Sequence, residues 1–308
     1  MTPSGVEGGA GPSGVEGGAA GLGEREGFRS GFVTVVGRPN VGKSTLVNRM
    51  LGTKVSITSA SPNTTRTRVR GILEGEDYQA VVVDTPGIHR PRSALGERLN
   101  DTASAALDDV DVCILVVDAT SPVGPGDRFV ASRLPAGSVV AVNKLDRATR
   151  PQLLGQLARA AEQLGLERAE YFPVSARTGS GVVELVAYVV GLLPPGPRFY
   201  PAGTVRDVPE AFHLGELVRE QLLRVARDEL PHSIACRVTE WDPPYVRCEI
   251  LVERESQKAI VVGRKGAVLK AAGTAARRSL PDGTYLDLVV KVERDWQRRP
   301  DVIERLGY

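Results

Sequence analysis

Cysteine is scarce: the 308-residue chain carries only Cys113, Cys236 and Cys248. Three scattered thiols exclude a disulfide framework and a cysteine-built metal centre. Cys113 sits inside the apolar run VDVCILVVD, where a small buried hydrophobe in a reducing compartment is expected. Long apolar runs are missing too, since none approaches the roughly 18 residues of a membrane-spanning helix. The N-terminus lacks the basic, apolar and small-residue order of a secretory signal. These absences predict a cytoplasmic protein without a spanning element. Net charge is nearly absent at +2, so the overall balance points to no polyanionic partner and any such signal must come from local clustering.

What is present is the composition of a soluble globular chain, 42% hydrophobic and 25% charged, long enough for two domains with separate cores. Residues 1–27 are low in complexity, with PSGVEGGA at 3–10 repeated at 12–19. Almost no large apolar side chains are available there to offset the entropy of ordering, so a disordered tail is expected. Beyond it, FVTVVG (32–37), YQAVVVDTPG (78–87), VDVCILVVDAT (110–120), SVVAVNK (138–144) and AEYFPVSA (169–176) read as short strands, several almost wholly apolar and each ending in polar residues. Helical patterns lie between them. The alternation predicts an α/β domain over 28–193, a doubly wound and mostly parallel sheet whose ligands bind at the carboxyl ends of the strands.

The motifs sit at those ends. Gly37-Arg38-Pro39-Asn40-Val41-Gly42-Lys43-Ser44 fits G-x-x-x-x-G-K-[ST] between a strand and a helix. Such a loop wraps phosphates with backbone N–H groups at a helix N-terminus; Lys43 reaches the β- and γ-phosphates and the Ser44 hydroxyl ligates Mg²⁺. Asp84-Thr85-Pro86-Gly87 closes the next strongly apolar strand. A carboxylate there holds Mg²⁺ through water, and the Gly87 N–H meets the γ-phosphate, so hydrolysis releases the following loop. Asn143-Lys144-Leu145-Asp146 ends another strand. Asp146 accepts from the ring N–H and exocyclic amine of guanine, a pairing adenine cannot make; Asn143 braces the cradle and Lys144 covers the base. Ser175-Ala176-Arg177 offers backbone N–H groups to the guanine carbonyl.

Together these resemble four of the five sequence boxes of the GTPase superfamily. The fifth is expected in Ser61-Pro62-Asn63-Thr64-Thr65-Arg66, where Thr65 resembles the switch threonine that closes over Mg²⁺ and the γ-phosphate, with Thr64 a near alternative. Ile88 occupies the position at which many GTPases carry a glutamine that orients the attacking water. An alkyl group cannot hold water, so slow intrinsic hydrolysis is expected. This resembles the TrmE–Era–EngA group, some of whose members carry a cradle asparagine, matched here by Asn40, that holds K⁺; potassium stimulation is a hypothesis that this resemblance implies.

PPGPRFYPAG breaks the pattern and marks a linker at 194–205. The segment 206–308 reads α-β-β-α-α-β, an α+β unit. Val262-Gly263-Arg264-Lys265-Gly266 lies between its two inner helical segments. KH domains of type II share this order and use G-x-x-G to clamp a nucleic-acid backbone. Six basic residues (Lys258, Arg264, Lys265, Lys270, Arg277 and Arg278) and no acidic ones fall within 256–281, whereas 206–308 as a whole is near balance, 18 basic against 17 acidic. The preceding AIVV is expected to line a base-binding groove.

GRPNVGKSTLVN, TTRTR, VDTPGIHR, NKLD, VSAR, GRKG and VKVERDW occur in the order of the Era family, which the chain resembles over about 30–308. The resemblance implies a GTP/GDP switch that binds 16S ribosomal RNA near its 3′ end and assists 30S subunit assembly, acting as a monomer. It also implies peripheral association with the inner face of the cell membrane. The GRKG loop departs from the G-K-G-G of many relatives. A metabolic ATP-dependent kinase, and a GTPase whose second domain serves only for protein docking, are the competing readings.

Overall fold

The computed structural model describes residues 27–61, 63–88, 94–107, 110–225 and 233–308. The expected tail, up to residue 26, lies outside the described residues, as do Pro62 and the His89-Arg90 end of VDTPGIHR.

Runs rich in β-branched residues form the first sheet because they fit a surface buried on both faces. Its strands are β1 (Arg29–Val36), β2 (Val69–Glu74), β3 (Tyr78–Asp84), β4 (Val112–Asp118), β5 (Val139–Asn143) and β6 (Glu170–Pro173). The order is β2-β3-β1-β4-β5-β6, parallel except for the antiparallel β2–β3 pair. Strand β4 is buried at every residue. Its alternate side chains serve two cores: Ile114 and Val116 pack toward α1 (Lys43–Leu51) and α5 (Val182–Leu192). Leu115 and Val117 pack toward α2 (Ala94–Ser104), α3 (Pro125–Ala131) and α4 (Arg150–Gln163). The chain leaves β1 toward β3 on one side and reaches β4 on the other. The crevice this reversal opens at the carboxyl ends is where the motif loops converge.

Strand β2 was not expected from the sequence; it extends the sheet at the β3 edge. The linker is fastened along the same sheet. Gln79 donates to Tyr200 O at 2.9 Å and accepts from the Phe199 and Tyr200 amides, while Val205 O takes the Ile72 amide at 3.0 Å.

The second sheet holds β7 (Ala235–Asp242), β8 (Tyr245–Val252) and β9 (Tyr285–Val292), with β7–β8 antiparallel and β8–β9 parallel. One face packs on α6 (Glu210–Val225), α7 (Glu255–Val262) and α8 (Ala267–Arg277) through Leu214, Val218, Leu222, Val261, Ala272 and Ala276. The α-β-β-α-α-β order is present, followed by a short helix, α9 (Pro300–Arg305). The sequence EAFHLGELVREQLLRVARDEL (210–230) reads as one amphipathic helix, of which α6 is described as far as Val225, the rest lying outside the described residues. The run TYLDLVVKVERDW (284–296) reads as a last strand in the sequence, but β9 ends at Val292 and Asp295 turns the backbone with φ near 51°. Trp296 is therefore free to fold under the sheet, where it joins Leu251, Ile303, Tyr308 and, from α2, Leu95 and Leu99 in one apolar cluster.

Candidate nucleotide site and nucleic-acid face

Three glycines fix the phosphate cradle by leaving no room for a side chain. A Cβ on Gly37 would stand 2.6 Å from Val116 O. On Gly42, where φ is +101°, it would stand 2.3 Å from Asn143 Nδ2, and on Gly87 about 3.0 Å from Pro39. The Asp84–Gly87 segment is thus pressed onto the cradle. Asn40 is exposed on the cradle rim at φ 65°. Arg38 ties the loop outward to Asp127 at 2.9 Å and Ser121 at 2.7 Å. Lys43 is 6% exposed, and its ammonium donates to Gly37 O (3.0 Å) and Arg38 O (3.1 Å). Burial lowers its pKa to about 8, against the attraction of Asp84.

Ser44, Thr65 and Asp84 meet at the same place. Ser44 Oγ lies 2.9 Å from Thr65 Oγ1, which donates to Asp84 Oδ2 at 3.2 Å. Thr64 turns away and donates to Ser61 O at 2.6 Å, so the structure brings Thr65 rather than Thr64 to the pair. Asp84 is wholly buried. Burial pushes its carboxyl above the usual range, while the Ser44 hydroxyl and the Lys43 charge pull it down. Among the described residues, its Oδ1 has no hydrogen-bond partner. A buried carboxylate oxygen left empty beside two hydroxyls is a donor set that fits a hard divalent cation such as Mg²⁺.

Asn143 joins the two ends of the crevice. Its amide donates to Val41 O at 2.8 Å, and its oxygen accepts from the Ala176 amide at 2.9 Å. Lys144, at φ 70°, holds Asp118 Oδ2 at 2.6 Å. Asp146 accepts from Ser175 Oγ at 2.7 Å and faces Arg177 at 3.4 Å. Thr85 donates to Val35 O, and Pro86 follows it under the cradle. Ile88 is 2% exposed and packs with Val36, Leu115 and Val117, so its side chain points into the core and not at the crevice. The resulting cleft is about 300 Å³, roofed by Thr58–Ser61 and Asn63–Thr65.

Sequence reasoning missed the side chains that brace this site. Asp118 holds Lys144 and also accepts from the Thr120 amide and hydroxyl. Burial alone would raise its carboxyl; the Lys144 and Thr120 contacts outweigh that and hold it below the usual range. Arg49, from α1, donates to Ala176 O and Arg177 O. The ending of VDVCILVVDAT in a carboxylate at the motif rim was the one signal for Asp118. Arg49 gave none.

On the second sheet's helical side, Gly263 (φ 72°) ends α7 and Gly266 (φ 75°) starts α8, with Lys265 itself at φ 53°. A Cβ on Gly263 would fall 2.5 Å from Val268 Cγ2. Arg264, Lys265 and Lys270 are exposed and Lys258 is half-buried. The AIVV expectation is corrected in part: Ile260 is 55% exposed beside the loop, but Val261 is a core residue at 2%. With about 3.6 residues per helical turn, successive side chains point about 100° apart, so a four-residue apolar run cannot all face one groove.

Comparison with known proteins agrees with both halves. A family model described as a 50S ribosome-binding GTPase matches residues 32–144, and a KH domain model matches 229–297. GTPase Era of Mycobacterium sp. (strain KMS) is 46% identical over 297 residues, 91% of this chain and 99% of its own length. The Mycobacterium avium (strain 104) protein of the same name is 45% identical over the same shares. A crystal structure of Era with MgGDPNP and nucleotides 1506–1542 of 16S ribosomal RNA superposes with a TM-score of 0.86 at 35% identity, covering 91% of this chain and 99% of that one. A point variant of Aquifex aeolicus Era bound to GDP·AlF4⁻ gives 0.85 at 36%, with the same coverage. With the cradle, the guanine-side loops and the G-x-x-G turn all in one such chain, this protein belongs to the Era family of GTPases.

Proposed function

We propose that the chain is a GTP-hydrolysing switch that grips 16S ribosomal RNA near its 3′ end and assists 30S subunit assembly in the cytoplasm. The units doing this are a G domain (28–193), a linker (194–205) and a type II KH domain (206–308). The observation that carries the reading is the convergence, on one rim of one sheet, of a glycine-wrapped cradle, a buried carboxylate with an empty oxygen, and the Asn143 staple to the Ser175–Ala176 loop.

In this reading the cradle amides and Lys43 neutralise charge building on the leaving diphosphate. Ser44 and Thr65 ligate Mg²⁺ directly and Asp84 holds it through water. When bound, the ion supplies positive charge between the β- and γ-phosphates. The Gly87 amide meets the γ-phosphate, and Asp146 and backbone N–H groups of the Ser175–Arg177 loop read guanine. Because Ile88 is alkyl and turned into the core, the attacking water is oriented by backbone groups or by a partner, and intrinsic turnover is slow. Asn40 would hold a K⁺ ion at the cradle rim and so supply positive charge there; equal turnover in K⁺ and Na⁺ at matched ionic strength would remove that element alone. Gly263–Gly266, with Lys258 and Lys270, clamps the RNA backbone.

Nucleotide competition tests the core of this. GTP should displace a fluorescent GDP and ATP should not, and Asp146→Asn should shift preference toward xanthosine triphosphate. Displacement by ATP at equal concentration would end the reading. For the RNA half, changing Arg264 and Lys265 together to Ala should weaken binding of a 16S 3′-end oligonucleotide and flatten its salt dependence. Unchanged affinity would favour protein docking.

A further inference from the structure

The loop that roofs the nucleotide cleft has a second side, and that side is covered by the KH half of the chain. The Thr58 amide and hydroxyl donate to Glu220 Oε1 at 2.9 and 3.2 Å, and Glu220 also pairs with Lys54. Arg219 is fully buried on α6, is held by Glu216 at 2.6 and 2.8 Å, and donates to Thr64 O. Ile57 packs on Leu217 and Leu223. Arg66 leaves the loop altogether. It is 2% exposed, donates to Ile234 O at 2.7 Å, and its guanidinium stands 5.3 Å from the Trp296 ring and 5.2 Å from that of Tyr308.

Three successive residues are therefore committed in different directions. The Thr64 carbonyl is held by α6, the Thr65 hydroxyl lies against Ser44 and Asp84, and the Arg66 side chain is locked between two rings near the C-terminus. Thr65 cannot leave the cation site without moving a neighbour that is anchored more than 150 residues away in sequence at each of three points, Arg219, Ile234 and Trp296.

We infer that Arg66 and Arg219 are positioning residues for GTP hydrolysis, through which the KH domain holds Thr65 closed over the cation and γ-phosphate. This rests on the reading of Thr65 given above. Neither arginine touches the cleft's reacting groups, and both act through the backbone of the Thr64–Thr65 pair. The requirement is specific to the triphosphate state, because the γ-phosphate and its cation are what a closed Thr65 serves.

The test compares Arg66→Ala, Arg219→Ala, Arg66→Lys and Thr65→Ala in the full chain. Each arginine-to-alanine change should lower kcat at least tenfold and raise the Mg²⁺ needed for half-maximal turnover, while GDP affinity stays within twofold. Arg66→Lys keeps a cation over the rings and a donor for Ile234 O, and should recover most of the rate. Interdomain contacts with a merely structural role would lower Tm and leave kcat and the Mg²⁺ requirement alone. That result, with Thr65→Ala impaired, overturns the inference. Wild-type turnover in Thr65→Ala would instead overturn the underlying site assignment. A second measurement needs no destabilising change. The chain has two tryptophans, and Trp241 is exposed, so Trp241→Phe leaves Trp296 as the sole reporter. Its emission should differ between Mg²⁺–GDPNP and GDP; identical spectra in the two states would also overturn the proposal.

Discussion

Replacing Asn143 with alanine isolates the staple between the two ends of the nucleotide crevice. The residue is 2% exposed, and its amide makes both of its close contacts to backbone, to Val41 O at 2.8 Å and from Ala176 N at 2.9 Å. Alanine leaves a buried carbonyl and a buried amide unpaired. Each such loss costs about 1–3 kcal/mol, toward the low end where water can enter. Taken toward the low end for each of the two groups, the total is about 2–4 kcal/mol. Part of this appears as stability and part as binding, since the staple aligns the phosphate loop with the base loop. Affinity for GTP and GDP should fall together by roughly 10–100-fold, which corresponds to about 1.4–2.8 kcal/mol. Inorganic pyrophosphate, which touches only the cradle, should bind within a few-fold of wild type. Titration of a fluorescent GDP and GTP pair, with calorimetry for pyrophosphate, measures all three. A loss confined to GTP would refute the reasoning, because that pattern belongs to the switch loop. So would unchanged affinity with unchanged Tm.

Asp118→Ala should free Lys144 from its 2.6 Å partner and weaken guanine nucleotides by about 1 kcal/mol, without changing the Mg²⁺ requirement of turnover; a titration at two Mg²⁺ concentrations checks both. His213 is 8% exposed at the junction of the two halves, and burial, with Arg206 adding repulsion, lowers its pKa to about 4 from 6.5. The unfolded chain therefore binds the proton more readily, so this group's contribution to stability is complete above about pH 6.5 and is lost as pH falls toward 4. Near pH 5 the linkage amounts to about 1–2 kcal/mol, and His213→Gln should lose less stability than wild type between pH 7 and 5 in urea melts; parallel losses would refute it. Gly263→Ala should cost about 1–3 kcal/mol in strain at φ 72° besides its clash with Val268, and weaken RNA binding. Gly266→Ala, with open space around its Cβ, should cost only about 1–2 kcal/mol; paired melts and filter binding separate the two.

The parallel strands were readable because burial on both faces leaves a mark that alternation does not. VVVD and VCILVVD are apolar throughout, and each ends abruptly in a carboxylate. Strand β2 escaped notice because an edge strand has one partner. VRGILE carries the exposed Arg70 and a glycine, and what holds it is the β3 pairing together with a Gly71 backbone close enough to α1 that a Cβ would meet Leu51 at 2.2 Å. None of that is local. In the second sheet the G-x-x-G turn announced itself through glycine and charge. Trp296, read as the tail of a strand, is instead the centre of an interdomain cluster, a role fixed by a single left-handed residue before it.

The nucleotide motifs were legible for a chemical reason. Wrapping phosphates needs glycine, ligating a cation needs oxygen, and reading guanine needs a carboxylate, so the residue types are constrained wherever the fold puts them. The braces carry no such constraint. A long arginine can reach a backbone carbonyl from many positions, and Arg49, Arg38 and Arg219 do so or pair across 89 to 155 residues of sequence. The choice between Thr64 and Thr65 shows where the two kinds of information meet. Either hydroxyl suits Mg²⁺, so composition leaves the pair unresolved. What separates them is that Arg66 is drawn into the Trp296–Tyr308 cage and the Thr64 carbonyl onto Arg219, and with those two anchors it is Thr65 that meets Ser44. The placement of Thr65 beside Ser44 is thus set in part from the far domain, whereas the sequence marks it only by its place before Arg66.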